Sequence, residues 1–184
     1  MTEKTIDAAY DERLITVYQA YGTEIADAAL AAGTFVAPFS RTRMTWIKPS
    51  FLWMMHRSTW ATAPGQERVL AMGIRRDGFD WAVRNACLSS YDAKVHADHA
   101  EWRRQLKASP VRVQWDPDRD VRMQPLPYRA VQIGLTGEAL ARYVDEWIQE
   151  ITDVTALAHE IRDLVRTGQT ERAEALRPKE KAYA

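Results

Sequence analysis

The segment PSFLWMMHRSTW, Pro49–Trp60, constrains the fold of this chain more than any other. Proline suits the first turn of a helix, where its missing N–H costs nothing. Phe51, Leu52, Trp53, Met54 and Met55 follow, so the predicted helix is apolar nearly all round and belongs inside a core. A chain of 184 residues is long enough to bury it within one domain. A short strand, 43–47, leads into the helix.

The other predicted elements interleave in the same way. LITVYQAY, 14–21, reads as a strand. A helix over 24–32 follows, with Thr23 as cap and Gly33 just past its end. ERVLAMGI, 67–74, is a third strand and precedes a helix over 79–88. A helix over 93–106, a strand over 111–115, a turn at WDPD and a strand over 128–135 come next. Leu140, Tyr143, Val144, Trp147, Ile148 and Ile151 keep a helical period, which predicts one long amphipathic helix starting at Thr136. A last helix starts after Thr155. No strand runs into a GxGxxG or P-loop segment, so the expected class is α+β, with a small, mixed and curved sheet flanked by helices and further helices at the C-terminus. The expected division is a single domain over 1–166 and a charged, solvated, partly flexible tail over 167–184.

Composition narrows the function classes. Basic and acidic side chains number 25 each, which argues against a protein held on DNA by a general positive field. The single cysteine, Cys87, excludes an internal disulfide and is expected to be buried and inert. No membrane span and no signal peptide are legible, so the chain is expected to be cytoplasmic. His96 and His99 have a helical spacing that can hold a metal, but no third ligand is nearby and no metal is expected.

The opening segment carries the chemistry. Lys48 and Ser50 flank a helix start whose free N–H groups favour an anion. Arg41 and Arg43 alternate on the strand before it. Trp46 and Tyr18 offer rings for stacking, so Tyr18, Arg41, Arg43, Trp46, Lys48 and Ser50 form the expected nucleotide site. Gln19, mid-strand among aromatics, needs hydrogen-bond partners. It either holds a ligand or braces a loop. His56 could act as acid or base if it lines a cleft. Asp116 and Glu67 are the candidate carboxylates.

The strings VYQAY, TWIKPSFLWMM, PGQERVLA, VQWDPDRD, PYRAVQIGL, YVDEWI and ITDVT together resemble the domain-of-unknown-function family numbered 4291, from about Leu14 to Ile161. That resemblance implies relatives without implying a reaction. The order of elements is more distantly similar to the ADP-ribosyltransferase superfamily, in which a small split sheet cradles NAD. This likeness implies NAD as co-substrate, with Ser50 at the middle position of the usual triad. The first strand offers Tyr18 and Gln19 where that superfamily has arginine or histidine, and Gln132 is the nearest match in kind to its late glutamate. The catalytic candidates are thus Gln19, Ser50, His56, Asp116 and Gln132. Two alternatives stand beside this reading. One is an RNA or single-stranded nucleic-acid binding or modifying domain using the Arg/Trp-rich segment 41–60. The other is an interaction module without chemistry.

Overall fold

The computed structural model describes residues 4–184. It is an α+β structure built on two antiparallel-rich sheets joined at one point. Strands β1 (Asp7–Ala8) and β2 (Leu14–Tyr21), helix α1 (Thr23–Ala32), strand β3 (Thr45–Ile47), helix α2 (Phe51–Ser58) and strand β4 (Arg68–Arg75) come first. Helix α3 (Arg76–Arg84), strand β5 (Ala86–Leu88), helix α4 (His99–Ala108) and strands β6 (Val111–Arg119) and β7 (Pro125–Leu135) follow. Helix α5 (Gly137–Arg142), a π-helical turn (Tyr143–Trp147), strand β8 (Ile148–Asp153), helices α6 (Thr155–Arg166) and α7 (Thr170–Leu176) and strand β9 (Lys181–Ala182) complete the chain.

One sheet has the order β2-β4-β8 and the other β3-β7-β6-β5, in which β5 alone runs parallel to its neighbour. The two meet where the Tyr18 N–H donates to the Lys48 carbonyl at 2.8 Å and the Lys48 N–H donates back to Tyr18 at 3.2 Å. This single bridge leaves the sheet split in two, within the α+β class that the interleaved pattern implied. Ile15, Val17, Met72 and Ile74 of the first sheet and Val111, Val131, Ile133 and Leu135 of the second share one core with Tyr143 and Trp147. Period-2 alternation puts their intervening residues on the outer faces.

Helix α2 is buried, as its composition requires, but it starts at Phe51 and not at Pro49. Pro49 lies before the helix, and Ser50 is the cap: its Oγ accepts from the Trp53 N–H at 3.1 Å. The long helix expected from Thr136 stops short. Leu140, Tyr143, Val144 and Trp147 are buried on helical turns, but the chain then extends and Ile148–Asp153 pairs with β4. Strand β4 would otherwise present a row of unpaired backbone groups, and the β-branched Ile148, Ile151 and Thr152 suit the extended state. Other boundaries also move. The helix expected over 79–88 is α3 and ends at Arg84, after which Cys87 lies buried on β5. The expected turn at WDPD lies inside β6, which runs to Arg119 with an irregularity in its register after Pro117.

The C-terminal segment is not a solvated tail. Helix α7 packs on α6 with Ala173 buried, and β9 pairs antiparallel with β1. Tyr183 sits edge-on to Tyr10 and Phe79, at 4.9 and 5.3 Å between ring centres. The domain thus extends through residues 167–184. Among the described residues, no helix is long and apolar enough to cross a membrane.

Candidate functional site

Three strands and one helix converge on a cleft of about 330 Å³ lined by Trp46, Lys48, Trp53, Arg57, Gln66, Gln114, Asp116 and Gln132. The convergence follows from register. Trp46 pairs with Gly134, and Gln114 pairs with Gln132. Alternation therefore carries Trp46, Lys48, Gln132, Gln114 and Asp116 to one face of the sheet, opposite the core. Gly134 is required beneath Trp46: a Cβ there would lie 2.7 Å from the Met44 sulfur and 3.0 Å from the indole. Trp53 and Arg57 are four residues apart on α2 and form the facing wall.

Asp116 is held through both oxygens. The Gln114 Nε2 donates to Oδ1 at 3.0 Å and the Gln132 Nε2 donates to Oδ2 at 2.9 Å. Two neutral amides fix the carboxylate without neutralising it, and its remaining lone pairs are available to a ligand. Lys48 is 7% exposed. Its Nζ donates to the Trp46 carbonyl at 3.1 Å. No carboxylate of the described residues forms an ion pair with it. Burial, reinforced by the Arg57 charge and only partly offset by Asp116, pushes the amine down to about 7. Trp53 is 5% exposed, and its indole N–H finds no acceptor among the described residues. An unpaired buried donor costs about 1–3 kcal/mol, and such groups concentrate at working sites.

Several expected site residues lie elsewhere. The start of α2 is not an open anion site: the Phe51 N–H donates to Glu180 Oε1 at 2.7 Å, and Ser50 Oγ donates to Asp118 Oδ1 at 3.0 Å. Ser50 is thereby a buried cap, committed to structure. Gln19 is a brace. Its amide donates to Tyr21 and Thr45, and its carbonyl accepts from Tyr143 at 2.6 Å. Tyr18 is buried edge-on against Phe51 at 5.5 Å, away from any stacking surface. Arg41 forms a bidentate pair with Asp145, and Arg43 lines a different cleft beside Tyr21 and Phe39. His56 leans on Trp53 at 5.0 Å between ring centres but does not line the cleft. Glu67 is exposed and accepts from the Gly65 N–H. His96 and His99 both stack on Tyr91, and no metal-holding cluster is present among the described residues. The structure therefore brings together Trp46, Lys48, Asp116 and Gln132 of the expected set. It adds Trp53, Arg57, Gln66 and Gln114. Alternation from Asp116 back to Gln114 was the available signal for the last.

Two buried groups set a pH dependence of opposite sign. Glu180, half-buried beside Asp118, is pushed up to about 8 by burial. The folded state then holds its proton more tightly than the unfolded one, so stability falls as pH rises from about 4.5 to about 8. Lys48 loses its proton at about 7 when folded and at 10.5 when unfolded, so stability rises with pH across that interval. Thermal melts between pH 5 and 10 are expected to show the fall removed by Glu180→Gln and the rise removed by Lys48→Met. Parallel curves for wild type and both variants would contradict these assignments.

The fold and the cleft define an α+β domain with a split sheet and an aromatic-walled polar site. The chain belongs to the family described as Domain of unknown function (DUF4291), which matches residues 5–183. No curated protein matches it.

Proposed function

We propose that the cleft binds NAD as co-substrate and breaks the bond between nicotinamide and ribose, in a manner similar to the ADP-ribosyltransferases. The observation that carries this reading is the Asp116 carboxylate, fixed by Gln114 and Gln132 in a cleft that Trp46 and Trp53 also line. Cleavage of an N-glycosidic bond builds positive charge on the ribose ring as nicotinamide leaves with the bonding pair. A preorganised carboxylate stabilises that charge at no reorganisation cost. Trp46, only partly buried, supplies a flat surface for a heteroaromatic ring. Arg57, exposed at the rim, suits a phosphate through its planar fork. The volume of about 330 Å³ lies at the small end of ligand sites, about 300–1,000 Å³, and matches the nicotinamide riboside half with the phosphates directed outward.

The roles differ from those of a standard triad, because Gln19 and Ser50 are consumed by internal hydrogen bonds. Release of nicotinamide from NAD by purified protein tests the proposal. Asp116→Asn keeps the shape and removes the charge, and is expected to lower that rate by roughly 10²–10³-fold. Saturating NAD should also raise the melting temperature of the wild type. Absence of both release and stabilisation overturns the reading. Salt-sensitive stabilisation by a short RNA instead would transfer the cleft to the nucleic-acid alternative.

A further inference from the structure

We propose that Lys48 is a carbonyl-reactive nucleophile and that the cleft takes a phosphate-bearing aldehyde, such as the open-chain form of a reducing sugar phosphate, which condenses with its amine to an imine. This proposal deepens the reading above by giving the same cleft a covalent partner, but it does not depend on NAD cleavage.

Geometry singles out this amine. A buried lysine is ordinarily paired with a carboxylate. Lys48 lines an open cleft, yet its Nζ donates only to the Trp46 carbonyl, and no carboxylate forms an ion pair with it among the described residues. Arg57 lines the facing wall of the cleft and makes no ion pair with a described residue either. An adjacent cation and a desolvated setting are the two means by which proteins keep a lysine neutral and nucleophilic. Both act on Lys48, with burial the larger. Arg57 also remains free to take a phosphate. Among the described residues Asp116 is the one carboxylate that lines the cleft, and it supplies the path for protons.

The condensation balances as follows. The Nζ lone pair adds to the carbonyl carbon and the C–O π pair moves to oxygen. A proton passes from the new ammonium to that oxygen through Asp116, giving a carbinolamine. Loss of water then leaves the C=N bond.

The test uses the full chain at pH 7 with two probes, pyridoxal phosphate and ADP-ribose, each followed by borohydride. Borohydride delivers hydride to the imine carbon and fixes the adduct as a secondary amine, which peptide mass mapping locates. The expected result with either probe is modification of Lys48 at least about tenfold faster than of the exposed Lys94 or Lys107, since each unit of lowered proton affinity multiplies the neutral fraction tenfold. Inorganic phosphate should compete. Asp116→Asn should slow trapping without abolishing it. Even labelling across the lysines, or none at Lys48, overturns the proposal, and this readout on the wild type holds whether or not Lys48→Met folds. Nicotinamide release measured on the same sample separates the two readings. Release without trapping at Lys48 sinks the nucleophile and leaves NAD cleavage standing. Trapping without release does the reverse.

Discussion

Removal of residues 167–184 is expected to destabilise the domain by roughly 3–5 kcal/mol. Three contributions make up that figure. Tyr183 packs against Tyr10 and Phe79, while Arg76 lies 5.0 Å from the centre of its ring. Aromatic burial of this kind contributes roughly 1.5–3 kcal/mol. Glu180 satisfies the Phe51 N–H at the start of α2, a capping interaction worth about 1 kcal/mol. The remainder comes from the backbone pairing of β9 with β1, including the Tyr183 N–H to the Ile6 carbonyl at 2.7 Å. For a chain of this size 1 kcal/mol corresponds to about 2–4 °C, so the melting temperature should drop by roughly 6–20 °C. A truncated chain that melts with the full one would show that the segment is dispensable.

Trp147→Ala is expected to cost about 3–5 kcal/mol, the range for deleting a large buried aromatic. Trp147 is fully enclosed where α3, the π-helical turn and both sheets meet. Gly78 makes its position possible: a Cβ on that residue would come within 2.5 Å of the indole ring. Such close packing leaves little able to collapse into the space, because Trp81 and Arg142, which also pack against the Trp147 ring, are held by each other, with the guanidinium 4.5 Å from the Trp81 ring centre. Urea unfolding of the variant measures the loss directly. A loss below about 1 kcal/mol would mean that the neighbouring rings repack.

The two losses touch one core, since Tyr183 packs against the cluster that holds Phe79 and Trp147. Trp147 sits in the core shared by the two sheets, whereas the C-terminal segment holds the start of α2, whose far face carries Trp53 and Arg57 into the cleft. Loosening of the C-terminal segment would therefore shift the wall of the site as well as lower stability.

Local sequence determined the elements whose signals are local. The strand 14–21, the glycine-terminated helix after it and the burial of Phe51–Met55 all follow from side-chain period, turn chemistry and composition, which act within a few residues. The same locality placed Trp46, Lys48 and Asp116 among the candidates, since charged side chains close to tryptophan stand out in any window, whereas Gln132 entered only through the resemblance to the ADP-ribosyltransferases. What no window could hold was the pairing partner. Ile148–Asp153 kept a helical period and became a strand because β4, far away in sequence, needed its hydrogen bonds. Ser50 and Gln19 looked free to meet a ligand until Asp118, Tyr143 and Thr45 arrived from distant segments to use their polar atoms. Residues 167–184 read as solvated because their apolar content is low, yet the orphan N–H of Phe51 and the rings of Tyr10 and Phe79 gave them somewhere to dock. Periodicity and composition are properties of neighbours along the chain. Hydrogen-bond satisfaction is settled between groups that meet only in the folded state, and it decided which of the conspicuous residues were left with chemistry to do.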